Sequence, residues 1–65
     1  MNTAKSLRFA LINREKKQVW LAKQLGVERQ QVSNWCNGSG MRSSTLMKIC
    51  ELLDYKVSEF YALGE

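Results

Sequence analysis

Sixty-five residues bound the chain, residues 1–65, to one small domain, because a chain of this size buries roughly 60% of its unfolded surface and builds one modest core. With 45% hydrophobic residues, no proline, no histidine and two cysteines, the composition favours a globular, mostly helical domain. It offers neither a His-based general base nor a metal cluster, so no enzyme activity, metal or cofactor is expected. The formal charge of +4 is uneven: nine basic residues against Glu15 and Glu28 over residues 1–50, but Lys56 against Glu51, Asp54, Glu59 and Glu65 over the remainder. A body of +7 suits a polyanion and a C-terminal end of −3 does not. No apolar run is long enough to span a bilayer and no secretory signal pattern is present, so a cytoplasmic location with no membrane contact is expected.

In chain order, a first helix is predicted over residues 5 to about 16, capped by Thr3 or Asn2. Leu7, Ala10, Leu11 and Arg14 recur at i, i+3, i+4 and i+7 and mark its inner face. Phe9 and Ile12 fall to its sides, and Arg8 sits away from the stripe, free for solvent or phosphate. A second helix over residues 18–24 turns Leu21, Ala22 and Leu25 to its inner face, and Lys17 takes its cap position with a poor capping side chain. Val19 and Trp20 are left toward the outside, where Trp20 is read as lying flat over Lys16 and Gln24, half buried. Gly26 then breaks the helix as a residue able to adopt positive φ.

The third predicted helix, residues 28–36, has two unlike faces and is ended by Asn37-Gly38. At 100° per residue Val32 and Trp35 share one side, and Arg29, Gln30, Ser33, Asn34 and Asn37 the other. That outer face is dense in groups that match base edges. Asn and Gln pair bidentately with adenine, Arg pairs with guanine, and Ser adapts to either. Arg29, Gln30 and Asn34, with Ser33 assisting, are therefore the candidate base readers. Trp35 is read as a core anchor.

A polar connection over residues 39–43 leads to a fourth helix, capped by Ser43 or Ser44 and running to about Leu53, with Leu46, Ile49, Cys50 and Leu53 inward and Lys48 and Glu51 outward. A short last helix over residues 57–63 places Val57 and Phe60 in the core and leaves Tyr61 and Leu63 for another surface. Cys36 and Cys50 are read as two reduced, partly buried thiols.

The segment from Lys17 to Gly38, a helix, a glycine turn and a second helix with a polar outer face, resembles the lambda-repressor and Cro-like helix-turn-helix proteins. The resemblance rests on Gln18, Leu21-Ala22, Leu25-Gly26-Val27, Val32-Ser33, Trp35 and Asn37-Gly38, and continues in Thr45-Leu46, Lys48-Ile49 and Leu53. It implies an all-α, five-helix domain that binds specific double-stranded DNA. It further implies phosphate contacts from Lys17, Gln18, Gln31, Asn37, Ser39 and Arg42, with Arg42 the ionic one. Three departures stand out. Glu15-Lys16-Lys17 replaces the usual connection after the first helix. Asp54 stands where relatives often carry glycine. Leu11 and Cys36 occupy the positions of a buried arginine–glutamate pair, a joint replacement that costs little when both members change.

The resulting expectation is a Cro-like transcriptional repressor of phage or prophage type. It acts by operator occlusion, takes no small-molecule ligand, and binds a palindromic operator as a weak homodimer through Tyr55, Tyr61 and Leu63. The alternative is an antitoxin or other protein-interaction module on the same fold, since fold does not fix function.

Overall fold

Apolar residues at helical spacing, interrupted by four short connections, fold into five helices: α1 (Thr3–Asn13), α2 (Gln18–Leu25), α3 (Arg29–Cys36), α4 (Ser43–Leu52) and α5 (Val57–Ala62). The computed structural model describes residues 3–65. One core collects Leu7, Ala10 and Leu11 of α1, Leu21 and Ala22 of α2, Val32, Trp35 and Cys36 of α3, and Leu46, Ile49 and Cys50 of α4. Leu53 and Phe60 close it from below α4 and from α5. α3 packs on both α2 and α1, and α5 packs on α1 and α4, so α3 is held from behind along its inner face. Every expected inner residue of α2, α3 and α4 is buried or half-buried there, Leu25 as a flanking side chain. Leu11 and Cys36 lie inside the core, as two apolar residues replacing an ion pair should.

Three helices end by the same device. Gly26 has φ 69°, and Val27 N–H bonds back to the Ala22 carbonyl at 3.0 Å. Glu15 has φ 57°, with Lys16 N–H on the Leu11 carbonyl at 2.9 Å. Asp54 has φ 59°, with Tyr55 N–H on the Cys50 carbonyl at 2.8 Å. Each is a left-handed residue after the helix, with a bond reaching five residues back that satisfies an orphan carbonyl. Only Gly26 adopts this conformation without a Cβ penalty. Asp54, at the position where relatives often carry glycine, takes the conformation that glycine would favour.

The structure corrects the sequence reading at five places. α1 stops at Asn13 rather than near Lys16, because Glu15 turns left-handed and Lys16 is already in the capping bond. Thr3 is the first helical residue rather than the cap, and Asn2 lies outside the described residues. Arg14 is exposed rather than inside the core, because its guanidinium runs over the Tyr55 ring to the Leu53 carbonyl at the edge of that face. α4 begins at Ser43 with Arg42 in the cap position, so neither Ser43 nor Ser44 caps it. Val57 is 38% exposed, because α5 turns only Phe60 fully inward. Trp20 is half-buried with the Lys16 ammonium 4.9 Å from its ring centre, as expected of an aromatic lying under a lysine.

Candidate nucleic-acid interface

The core fixes the direction of α3. Val32, Trp35 and Cys36 are buried, and the helix period then turns Arg29 and Gln30 fully outward and leaves Ser33 and Asn34 half-buried beside them. Gly26, left-handed at φ 69°, ends α2 and opens the short connection to α3. The four candidate base readers therefore stand on one rigid helix anchored by a buried tryptophan. Truncating such an aromatic costs about 3–5 kcal/mol, a large share of the stability of a small domain.

Two side chains on this face are already paired. The Gln30 amide Nε2 donates to the Asn34 Oδ1 at 3.0 Å, across one helical turn. A bidentate contact to adenine needs one N–H and the carbonyl oxygen of Gln30, and both remain after this bond. Asn34 keeps both of its N–H donors.

The candidate phosphate contacts fall on either flank of α3. Lys17 is exposed in the cap position of α2, and Gln18, the first residue of α2, is half-buried. Both line a cleft of about 620 Å³ together with Arg29. On the other flank Gln31 and Arg42 line a second cleft of about 600 Å³, shared with Gln30 and Asn34. Arg42 occupies the cap position of α4, where no side chain satisfies the first-turn N–H groups, so the helix end and the guanidinium offer donors to the same side. Asn37 and Ser39 are exposed past the end of α3. Their backbone N–H groups bond to the Asn34 carbonyl at 3.1 and 2.9 Å, which holds the loop against the helix. Ser33, Asn37 and Ser39 line neither cleft. A polar reading helix between two donor-bearing flanks has the form of a helix-turn-helix reader of duplex DNA.

The family model of the Cro/C1-type helix-turn-helix DNA-binding domain matches residues 6–63. The chain belongs to this family. The Cro/C1-type domain is thus a DNA-binding domain of the transcription-regulator kind, and domains of this family are typically non-enzymatic. Among curated proteins and among solved structures nothing matches the chain. Among the described residues of the Cro/C1-type domain no helix is long and apolar enough to cross a membrane, and no group of three His, Cys, Asp or Glu residues could hold a metal.

Two features of the site lay outside the sequence reading, and a third, Arg8, read as free for solvent or phosphate, gains a definite place. Glu28, in the cap position of α3, lines the cleft that holds Gln30, Gln31 and Arg42 and puts a carboxylate beside the donors. Thr45 of α4 lines the same cleft. Arg8 lines the opposite cleft beside Arg29, and its charge lowers the Cys36 thiol pKa against the larger upward push of burial. The pairing of Gln30 with Asn34 has a sequence signal in their i, i+4 spacing. The cleft positions of Glu28 and Thr45 have none, because they depend on how the flanking segments pack.

Proposed function

We propose that the domain is a Cro-like transcriptional repressor of the bacterial or phage-infected cytoplasm that recognises a specific duplex sequence and acts by occluding an operator. The observation that carries the reading is the outer face of α3, where Arg29, Gln30, Ser33 and Asn34 present base-matching groups on a helix locked by Val32 and Trp35. In this reading α3 enters the major groove with its N-terminal half against the bases. Arg29 favours guanine, Gln30 favours adenine, and Asn34 and Ser33 extend the contact. Lys17, Gln18, Gln31, Asn37, Ser39 and Arg42 hold the backbone on either side and carry affinity rather than sequence preference. The operator is palindromic, and two domains occupy it.

The test is binding-site selection from random duplex DNA, followed by titrations at several salt concentrations. The expected result is one palindromic motif and an affinity that falls steeply with salt as phosphate contacts release counterions. Gln30→Ala should relax preference at one base position, and Arg42→Ala should weaken all sequences alike. A selection that returns no motif, or an Arg42→Ala variant that changes the preferred bases while Gln30→Ala does not, overturns the assignment.

A further inference from the structure

The outer side of α1 carries a surface that phosphate binding does not explain. Phe9 is 42% exposed, Ile12 69% and Val19 43%, three large apolar side chains close together on one side of a small domain. Isolated exposed apolar residues are ordinary, and contiguous ones mark contact surfaces. These are contiguous, because Arg8 and Ile12 line both the 620 Å³ cleft toward Val19 and a smaller depression toward Phe9. Cations surround them: Arg8, Lys16, Lys17 and Arg29 all line the larger cleft. Among the described residues that line either depression, none carries a carboxylate.

We propose that this α1–α2 cleft docks an acidic amphipathic helix of a partner protein, and that the docked helix and DNA exclude one another. The chemistry selects the occupant on two grounds. Four cations with no internal carboxylate require an anionic partner to avoid self-repulsion when water is excluded. The exposed Ile12 and Val19 beside the buried Leu11 reward buried hydrocarbon, which a sugar–phosphate strand does not supply. A bilayer surface supplies both, but the exposed apolar residues border two shallow depressions set among cations, a relief that suits one narrow helix better than a flat surface. A helix with acidic residues on its flanks and one or two apolar anchors meets all of these demands. Exclusion of DNA follows from shared residues: Gln18, Lys17 and Arg29 line the cleft and also belong to the proposed DNA contacts. This second part of the proposal rests on the reading given under Proposed function, and the docking itself does not. The device would be an inhibitor that covers the edge of the reading helix without touching Gln30 or Asn34.

The experiment selects ligands for the whole domain from a display library of helical peptides randomised on one face, then measures the recovered peptides as purified probes by fluorescence anisotropy. The counter-targets are Ile12→Ser and Arg8→Gln, at exposed positions whose replacement leaves the core intact; circular dichroism confirms their fold. The expected result is enrichment of acidic peptides with leucine or phenylalanine anchors that bind at least tenfold more weakly to Ile12→Ser and to Arg8→Gln. Those peptides should displace a labelled duplex in proportion to their own affinity. Recovery of no peptide, of peptides indifferent to Ile12→Ser, or of acidic peptides without apolar anchors overturns the docking site. So does Ile12-dependent binding of vesicles rich in anionic lipid in place of peptide. Peptides that dock as expected while the duplex stays bound overturn the exclusion alone, and a domain that binds peptide but no duplex at all refutes the DNA reading while leaving the docking site standing.

Discussion

The Arg14 guanidinium lies 4.1 Å from the centre of the Tyr55 ring. From this position its Nε donates to the Leu53 carbonyl at 2.8 Å and its Nη2 to the Asp54 carbonyl at 3.0 Å. Leu53 and Asp54 follow the last turn of α4, where unpaired carbonyls and the negative end of the helix dipole favour a cation. One planar side chain therefore fastens the end of α1 to the corner between α4 and α5, using its face on an aromatic ring and its edge on two carbonyls. The left-handed residues Glu15 and Asp54 stand on either side of this clasp.

Arg14→Ala should lower stability by about 1–2 kcal/mol, allowing for the exposure of the side chain. Arg14→Lys should recover only part of this, since an ammonium cannot make the two-pronged contact. Base preference in a selection experiment should not change. Urea unfolding checks the expectation, and an Arg14→Ala variant as stable as the parent would show that the clasp contributes nothing.

The bond from Gln30 to Asn34 makes a second prediction, for recognition. If the two amides act as one unit, removing either should release the other from its rotamer. Each alanine variant should cost about 1–3 kcal/mol on the preferred duplex. The double variant should cost less than the sum of the two, by an interaction of about 0.5–3 kcal/mol. A double-mutant cycle at fixed salt measures this directly. Losses that add to within measurement error would mean that the two side chains read their bases independently.

Much of this architecture is legible in the sequence, for a physical reason. The inner residues of α2, α3 and α4 follow the helix period, and the turn at Gly26 needs a conformation that glycine adopts freely. The end of α1 is less legible. Glu15 takes a left-handed conformation that its side chain disfavours; the local Lys16–Leu11 bond holds it together with the neighbouring Arg14 clasp, which is tertiary and formed with residues about forty positions away. Val57 illustrates a related limit. Its spacing from Phe60 suits a shared inner face, but a helix of six residues turns only one side chain fully into the core. For the candidate site, the polar outer face of α3 is visible in the residue types alone. The flanking clefts are not, since Thr45 and Arg8 come to α3 from other helices.

The two thiols make the domain sensitive to alkali. Burial pushes the Cys36 thiol above its ordinary pKa of 9.0, with Arg8 opposing, and burial does the same to Cys50. Both are free and buried. A raised folded pKa means that the folded chain keeps these protons while the unfolded chain gives them up. The unfolded state then binds fewer protons, and stability falls as pH rises. The contribution is fully present below the ordinary thiol pKa and is lost progressively above it. Guanidinium melts from pH 7 to 10.5 should show this fall, and the Cys36→Ala/Cys50→Ala double variant, though less stable overall, should show a shallower one. Identical slopes for the two proteins would remove the thiols as the cause.

The last prediction concerns symmetry. A single helix-turn-helix reads only a few base pairs, too few to stand out among competing genomic sites. Two units on half-sites one helical turn apart, roughly 34 Å, solve this. The surface proposed for their contact is formed by Tyr55, Tyr61 and Leu63. These three side chains are half-buried against the core, and the Tyr61 ring meets Phe60 edge-on with centroids 6.4 Å apart, so each offers only part of its area to a partner. Val57, on the same short helix, adds exposed apolar surface. The surrounding Glu51, Asp54, Glu59 and Glu65 are exposed and acidic, which suits a face turned away from phosphate. So small a patch falls well short of the area that stable interfaces bury, about 800 Å² per partner. The expected behaviour is therefore a monomer at micromolar concentration that occupies a palindromic duplex cooperatively as a dimer, with DNA supplying much of the association. Sedimentation with and without the duplex measures both states. Val57→Lys, at an exposed position that leaves the core intact, should abolish cooperativity while half-site binding persists. A one-to-one complex on the full palindrome, or a tight free dimer indifferent to Val57→Lys and Tyr61→Ala, would place the contact elsewhere or remove it.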